Sequence, residues 1–478
     1  MPKFVFLWTD AFVLLLVVAL VVYVFRVRSS QALRSAWGSV ARTPSAMCAA
    51  VILALFFLVG VLDSIHYRPQ LPPASGAHTA KVHYSPVLRS ALDDLLSLTQ
   101  LPNREKTYSA PLAIKQFTKE TELINDEAVR DYPRLEHAGV LLESDSQHLS
   151  DIRKRILLGI FYAALFSVAG MVLLTVFMRL SKPNFKQSFA WWWYSQSGVP
   201  WRAMWITYSI IMLVLCVCLS LSVNYHVLGT DRTGNDVLWQ SLKSIRTALV
   251  IGTLTIMAML PPALGFGIAA GYFKGRADDI IQYIYTTLTS IPGVLLIAAA
   301  VLMMQVYIDA RPELFSTVAS RADLRLFMLC LILGFTGWAG LCRLLRAETL
   351  KLRELEYVQA ARAFGVSHWR IMRRHILPNI MHIVLISMVI EFSGLVLYEA
   401  VLSYLGIGVD PSMHSFGTMI DASRLEMSRD PMIWWNLLGA FIFLLVLVLS
   451  ANIFADAVQM AFDPKTRRFK PKVVRNIA

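Results

Sequence analysis

Charged side chains are scarce in this 478-residue chain: Asp, Glu, Lys and Arg make up only 16% of it, against 56% hydrophobic residues. With a mean hydropathy of +0.55, that shortage excludes an ordinary soluble domain, in which about a quarter of residues are charged. Cysteine is sparse as well. Cys48, Cys216, Cys218, Cys330 and Cys342 all fall within or at the ends of apolar runs, so no disulfide framework is implied. No Gly-x-x-x-x-Gly-Lys-Ser/Thr stretch is present to cradle a nucleotide phosphate. Metal constellations are missing too: His78 and His83 have no further Cys or His at ligand spacing and read as part of a solvated loop. His375 and His382, seven apart, could share a helix face, but Pro378 interrupts them and no carboxylate completes a catalytic set. The first apolar run has only Lys3 before it and no small-residue cleavage site after it, so it reads as a retained helix rather than a cleaved leader.

What the chain has in abundance is long apolar runs. Stretches of about 18 or more, enough to cross a hydrocarbon core of roughly 30 Å, recur near 8 to 25, 46 to 64, 156 to 178, 204 to 223, 246 to 271, 281 to 306, 325 to 342, 380 to 404 and 434 to 455. Nine candidate spans follow. The net charge of +13 could suggest nucleic acid, but the basic residues cluster in short loops beside the spans, which is the pattern of positive-inside topology. Arg26, Arg28, Arg34 and Arg42 lie between the first two runs, Lys182, Lys186 and Arg202 between the third and fourth, and Arg343, Arg346, Lys351, Arg353, Arg362, Arg370, Arg373 and Arg374 between the seventh and eighth. The tail carries Lys465, Arg467, Arg468, Lys470, Lys472 and Arg475. With nine spans all these segments fall on one side, the cytoplasm, and the N-terminus falls outside.

The polar stretch from 66 to 152 then lies outside, and its acidic residues slightly outnumber its basic ones, as suits a translocated segment. Pro69, Pro72, Pro73, Ser75 and Gly76 begin it as a linker, and Leu92, Leu95, Leu96 and Leu98 predict one short amphipathic helix in a small helical domain or structured loop. Between 181 and 203, Trp191, Trp192, Trp193, Tyr194 and Trp201 sit among Lys and Arg, the composition of an interfacial belt. No internal repeat is evident.

One polar, basic island, residues 356 to 379, looks built to dock onto another protein. Glu356 opens a helix that carries the small pair Ala360 and Ala361, Gly365 stops it, and Ser367 can cap a second helix. Val366 and Ile371 stand at the N′ and N4 spacing of a hydrophobic staple. Pro378 is expected to close the second helix. The island resembles the cytoplasmic Glu-Ala-Ala coupling loop of ABC importer permeases: Gln359 stands where the first Ala often is, while Glu356, Ala360, Ala361, Gly365, Leu377 and Pro378 keep the spacing.

Three further matches follow the same family. His226, Leu228, Gly229, Thr230, Asp231, Gly234 and Asp236, then Ser244, Arg246, Ala248 and Leu249, are similar to the His-x-x-Gly-Thr-Asp-x-x-Gly-Arg-Asp stretch of oligopeptide, dipeptide and nickel importer permeases, with Asn235 in place of the Arg. Here the two glycines permit tight turns, and Asp231 and Asp236 can hold backbone amides. Glu399, Ala400, Leu402, Ser403, Tyr404, Leu405, Gly406, Ile407 and Gly408, then Pro411, Ser415, Phe416 and Gly417, resemble the family's Glu-Ala-x-Leu-Ser-Phe-Leu-Gly-Leu-Gly with its Pro and Trp-Gly, Phe416 replacing the Trp. Asn452 to Pro464 resembles its Asn-x-x-Gly-Asp-x-x-Arg-Asp-x-x-Asp-Pro ending: Asp456, Asp463 and Pro464 keep their places, while Ala455, Val458 and Met460 depart.

The resemblance covers about 226 to 468 and implies the C-type permease subunit of a peptide-type importer in the bacterial inner membrane. The expected fold is all-α, a polytopic helical membrane protein of about nine spans with a six-helix type I ABC importer permease core. The expected organisation is N-terminal spans in 1–65, an external polar domain in 66–152, a third span and basic aromatic loop in 153–203, the permease domain in 204–464 with its coupling loop at 344–379, and a basic tail in 465–478. Residues 31 to 64 also resemble the family's usual N-terminal helix, which would make the added material an insertion after it. The implied partners are a homologous second permease, two cytoplasmic ATPases that bind ATP and Mg, an extracytoplasmic substrate-binding protein and membrane lipid, with no nucleic acid. This chain is expected to bind no cofactor or metal and to be no enzyme. Glu356, Ala360, Ala361, Gly365, Leu377 and Pro378 are the implied ATPase-coupling residues, and Gly229, Asp231, Gly234, Asp236, Glu399, Gly406 and Gly408 an external gate or loop motif. The rival reading is a secondary transporter working without ATPases, for which Glu391 and Glu399 are the available intramembrane carboxylates.

Overall fold

Inside a bilayer a backbone must satisfy its own hydrogen bonds, and each apolar run accordingly becomes helix in the computed structural model, which describes residues 3–70, 84, 85, 87–124, 127–142, 144–179, 192, 193, 198–314 and 317–462. The long helices are α1 (Trp8–Ser29), α3 (Pro44–Asp63), α5 (His148–Arg179), α6 (Trp201–Ser222), α7 (Val237–Phe273), α14 (Leu377–Tyr404) and α16 (Trp435–Phe462), with the short α2 (Gln31–Val40) and α4 (Ala91–Leu96) among the first of them. The remaining two spans are broken. The run expected as one helix from 281 to 306 is α8 (Arg276–Ser290) and α9 (Gly293–Asp309), bent by 86°. Pro292 lies at the break, where it offers no N–H to continue the ladder. The run at 325 to 342 is α10 (Val318–Gly337) and α11 (Ala339–Arg353), bent by 42° beside Gly337. Among the described residues, seven single helices and two bent pairs make up to nine spans.

Helix α7 is the axis of the bundle. At 37 residues and 1.5 Å per residue it is about 55 Å long, so it reaches well beyond the hydrocarbon. It packs against α3, α10, α11 and α14, and α16 closes against α3 and α14. Small residues allow a close crossing: a Cβ on Gly267 or Gly271 would lie 3.0 Å from the Cys342 carbonyl oxygen or 2.7 Å from that of Arg346, so only glycine permits this approach to α11. Helices α5 and α6 pair with each other and touch the bundle through α3. Their outer faces leave Leu157, Phe161, Leu173, Phe177 and Val214 exposed, as lipid-facing helices must.

The two ends of the bundle differ. Strand β1 (Lys3–Phe4) pairs antiparallel with β2 (His66–Arg68), and β2 with β3 (Arg89–Ser90), which sets the N-terminus beside the far end of α3. On that side the polar segment after α3 forms a cap: β3, α4, a hairpin of β4 (Glu120–Ile124) and β5 (Glu127–Asp131), and extended chain. Of the two expected forms, a small helical domain or a structured loop, it is nearer the second. The leucines do predict α4, whose Leu92 and Leu96 are buried while Leu95 and Leu98 are exposed. At the opposite, basic end, Trp37 of α2 stacks on Phe454 and meets Phe462 edge-on, joining α2 to the end of α16 and to Leu385 and Ile386 near the start of α14. His78, His83, Trp191, Tyr194, Asp463, Pro464, the linker residues Pro72, Pro73, Ser75 and Gly76 and the tail 465–478 lie outside the described residues.

Candidate coupling loop and cap-end motifs

At the basic end α11 delivers the chain into α12 (Glu356–Ala363). The helix stops in a Schellman turn: Gly365 has φ +74°, its N–H donates to the Arg362 carbonyl at 3.0 Å, and the Val366 N–H donates to the Ala361 carbonyl at 3.1 Å. Helix α13 (His368–Ile371) then starts at Ser367, which takes the N-cap position without a side-chain hydrogen bond. Val366 and Ile371 both join the apolar core with Val358. Pro378 does not end this second helix. A π turn from Met372 to Ile376 carries the chain straight into α14, and Pro378 sits in the first turn of that helix, where a missing N–H costs little.

The island thus has an inner and an outer face. Val358, Ile371 and Ile376 are buried and Ala361 packs against their cluster, while Glu356, Gln359, Ala360, Gly365 and Pro378 are exposed and Leu377 is half-buried. Of the small pair, only Ala360 faces outward. Beside it Phe364 and Trp369 are 87% and 70% exposed, two large aromatic groups that sequence reading passed over. The scaffold beneath is tied by polar contacts. Arg346 holds Asp278 with two hydrogen bonds of 2.5 and 2.7 Å, the Tyr272 hydroxyl meets His368 Nδ1 at 2.8 Å, and Asn379 donates to the Tyr357 hydroxyl at 3.0 Å.

At the cap end His226, Gly229, Thr230, Gly234, Asn235 and Asp236 of the 226 to 236 motif are buried rather than displayed. Asp236 caps α7 by accepting from the Trp239 N–H at 3.0 Å, and its other oxygen lies 2.7 Å from His226 Nδ1. His226 Nε2 is 3.3 Å from Glu105 of the cap. That carboxylate also accepts the backbone N–H groups of Glu136, His137 and Ala138 at 2.9, 2.9 and 3.0 Å. Burial opposes the charge on His226, but the hydrogen bonds to Asp236 and Glu105 outweigh it and raise the imidazole to about 9. Burial likewise opposes ionisation of Glu105, and its four donors prevail, holding it at about 2. The triad is two carboxylates around an imidazolium, sealed from water.

The glycines of this motif make room for the cap. Gly229 and Gly234 have φ +73° and +76°, and a Cβ at Gly234 would lie 1.7 Å from the Glu105 carbonyl oxygen. A Cβ at Gly229 would lie 2.5 Å from that of Ser109. Thr230 stitches the contact by donating to the Thr107 carbonyl at 2.9 Å and accepting from the Ser109 N–H at 2.7 Å. Asp231 accepts from the Thr233 and Asn235 amides at 2.8 and 2.9 Å and from Gln240 at 2.7 Å, and the Trp435 indole donates to the Thr230 carbonyl at 2.9 Å. In the other cap-end motif, Gly406 (φ +74°) closes α14 with a second Schellman turn. Glu399 accepts from Ser403 at 2.6 Å and from Ser415 at 2.9 Å, and Ser415 also caps α15 (Phe416–Glu426). A Cβ at Gly408 would collide with Ser403.

Two features escaped the sequence. Arg246 of α7 donates to Thr9 and Asp10 of α1, both at 2.6 Å, and lies 3.6 Å from Asp323 of α10. One turn away Lys243 pairs with Asp63 of α3 at 2.6 Å and with Asp93 of the cap at 2.8 Å. These partners are up to 237 residues apart in the chain, and each alone resembles an ordinary charge at a span end. Glu391, in contrast, stands exposed in mid-α14 beside exposed Gly394 and forms no ion pair among the described residues. A carboxylate so placed in a span is costly unless it meets water or another subunit.

Residues 263–468 match the family described as binding-protein-dependent transport system inner membrane component. The chain is 29% identical over 243 residues to the oligopeptide transport system permease protein OppC of Haemophilus influenzae, covering 51% of this chain and 71% of that one. It is 28% identical over 243 residues to the dipeptide transport system permease protein DppC of Bacillus subtilis, covering 51% and 70%. With OppC of Mycobacterium bovis it shares 31% over 245 residues, covering 51% and 78%. The chain belongs to this family of transport-system permeases. It is a multi-pass, all-α membrane protein, and as a permease component it is not itself the catalytic part of its system. The family match contains the 356 to 379 island and the Glu399 motif, and begins after the Gly229–Asp236 motif.

Proposed function

We propose that this permease forms half of the translocation pathway of an ATP-driven importer of peptides in a bacterial inner membrane, moved by a separate ATPase that docks on residues 344 to 379. The observation that carries the reading is the outer face of the island: Glu356, Ala360, Phe364, Gly365 and Trp369 stand exposed on a helix-turn-helix whose inner face is anchored in the bundle core. A push on that face reaches α7 and α14 through packed side chains. ATP and Mg belong on the two ATPase partners, a homologous second permease completes the pathway, and an extracytoplasmic binding protein delivers substrate at the cap end. The peptide assignment rests on the relatives' names. Glu391, exposed in mid-span, fits a helix that lines the shared pathway. The cap, between α3 and α5, reads as an insertion into the permease domain, because α3 is part of the bundle and α5 and α6 are peripheral.

The test is transport by the assembled system in vesicles. Peptide accumulation is expected only with ATP on the coupling-loop side, and accumulation driven by a proton gradient without ATPases contradicts the proposal.

A further inference from the structure

Between cap and bundle lies a cavity of about 620 Å³, within the range of small-molecule sites. Its floor is the ionic network: Asp63, Asp93, Lys243, Arg246 and Asp323. Its walls are partly apolar, from Leu7, Val87, Trp239 and Met413, and Arg89 and Arg104 of the cap complete the lining as exposed side chains.

The acceptors and donors of this lining are unequally engaged. Asp63 and Asp93 are held by Lys243, and Asp323 by Thr9 with Arg246 nearby. Arg89 and Arg104 form no ion pair among the described residues, and the Nε of Arg246, a side chain only 6% exposed, has no hydrogen-bond partner among them. Unengaged donors therefore exceed unengaged acceptors, and they are guanidinium groups, whose fork suits planar oxyanions. The volume leaves room for an apolar body beside Trp239 as well as a charged head.

We propose that this cavity binds a small carboxylate-bearing ligand, with Arg89 and Arg104 receiving the carboxylate. On the transport reading above, that group is the C-terminal carboxylate of a short peptide held on the cap before it enters the shared pathway. The cavity is built by the cap and the bundle together.

The test is calorimetric titration of the full purified chain in lipid nanodiscs with trialanine, trialanine amide and inorganic phosphate. Saturable binding of trialanine is expected, weakened at least tenfold in the amide and at least tenfold in an Arg89→Gln, Arg104→Gln double variant. Both arginines are exposed, and the amide comparison on the unaltered chain needs no variant to fold. Absence of saturable binding, equal binding of the amide, undiminished binding by the double variant, or phosphate competing as well as trialanine would each overturn it. Failure of the assembled transporter to accumulate peptide would instead refute the transport reading and leave the binding result standing.

Discussion

The island at 356 to 379 and the 226 to 236 motif use glycine at positive φ in the same way and treat their polar residues oppositely. At the basic end Gly365 turns the chain so that Glu356, Phe364 and Trp369 face outward, and no atom lies within 4 Å of a Cβ built there. At the cap end Gly234 turns the chain so that another segment of the same protein can lie on it, and Asp236 and His226 are buried. The first motif leaves its polar and aromatic face uncovered, as the proposed docking surface requires; the second is an internal joint. The difference teaches that a motif's residues show their role through their surroundings more than through their spacing.

That contrast can be broken at several points. The largest effect is expected at Glu105→Ala, which strips a buried imidazolium of one carboxylate and orphans three backbone N–H groups. It should cost about 3–5 kcal/mol, as loss of one partner from a buried pair does. Thermal unfolding together with faster hydrogen exchange at Glu136, His137 and Ala138 would register it, and unchanged protection would mean the joint is held by something else. Next comes Gly234→Ala, where positive-φ strain and collision with the Glu105 backbone should cost about 2–4 kcal/mol. Proteolytic release of the cap is the readout.

A smaller effect should follow from pH. The His226 imidazole is raised from 6.5 to about 9 in the folded chain, so its contribution is fully present below about pH 6.5 and is lost as pH rises through 9. Glu105 is lowered from 4.5 to about 2, so its contribution is present above 4.5 and is lost as pH falls toward 2. Cap attachment should therefore be strongest between about pH 4.5 and 6.5. His226→Gln should flatten the alkaline limb of a proteolysis or exchange profile. The smallest stability effect belongs to Trp369→Ala at the other end, within about 0.5 kcal/mol because the ring is exposed. If it instead unfolds the loop, the outward face is structural and the contrast fails.

Much of this was legible beforehand. Nine apolar runs predict the spans because hydrocarbon thickness sets their length, and Gly365 with Val366 and Ile371 predicts the turn because those constraints are local. The bend at Pro292 was missed because a long apolar run hides a local break. The π turn before Pro378 let a helix pass a residue that ordinarily stops one. Helix α7 begins nine residues before its apolar run because its polar first turns are covered, Leu238, Trp239 and Lys243 by the cap and Ser241 and Ser244 by Met419 of α15. The Asp10, Arg246 and Asp323 network was illegible for a related reason: its members come from α1, α7 and α10, and only the packed bundle brings them together.

The central claim is that the exposed island transmits force from a separate ATPase. The most direct measurement is substrate-stimulated ATP hydrolysis by the assembled transporter in vesicles carrying Glu356→Lys or Gly365→Pro in this chain. The account predicts at least a tenfold loss of stimulation with membrane insertion and cap protection unchanged. Stimulated hydrolysis at the unaltered level in both variants would contradict it.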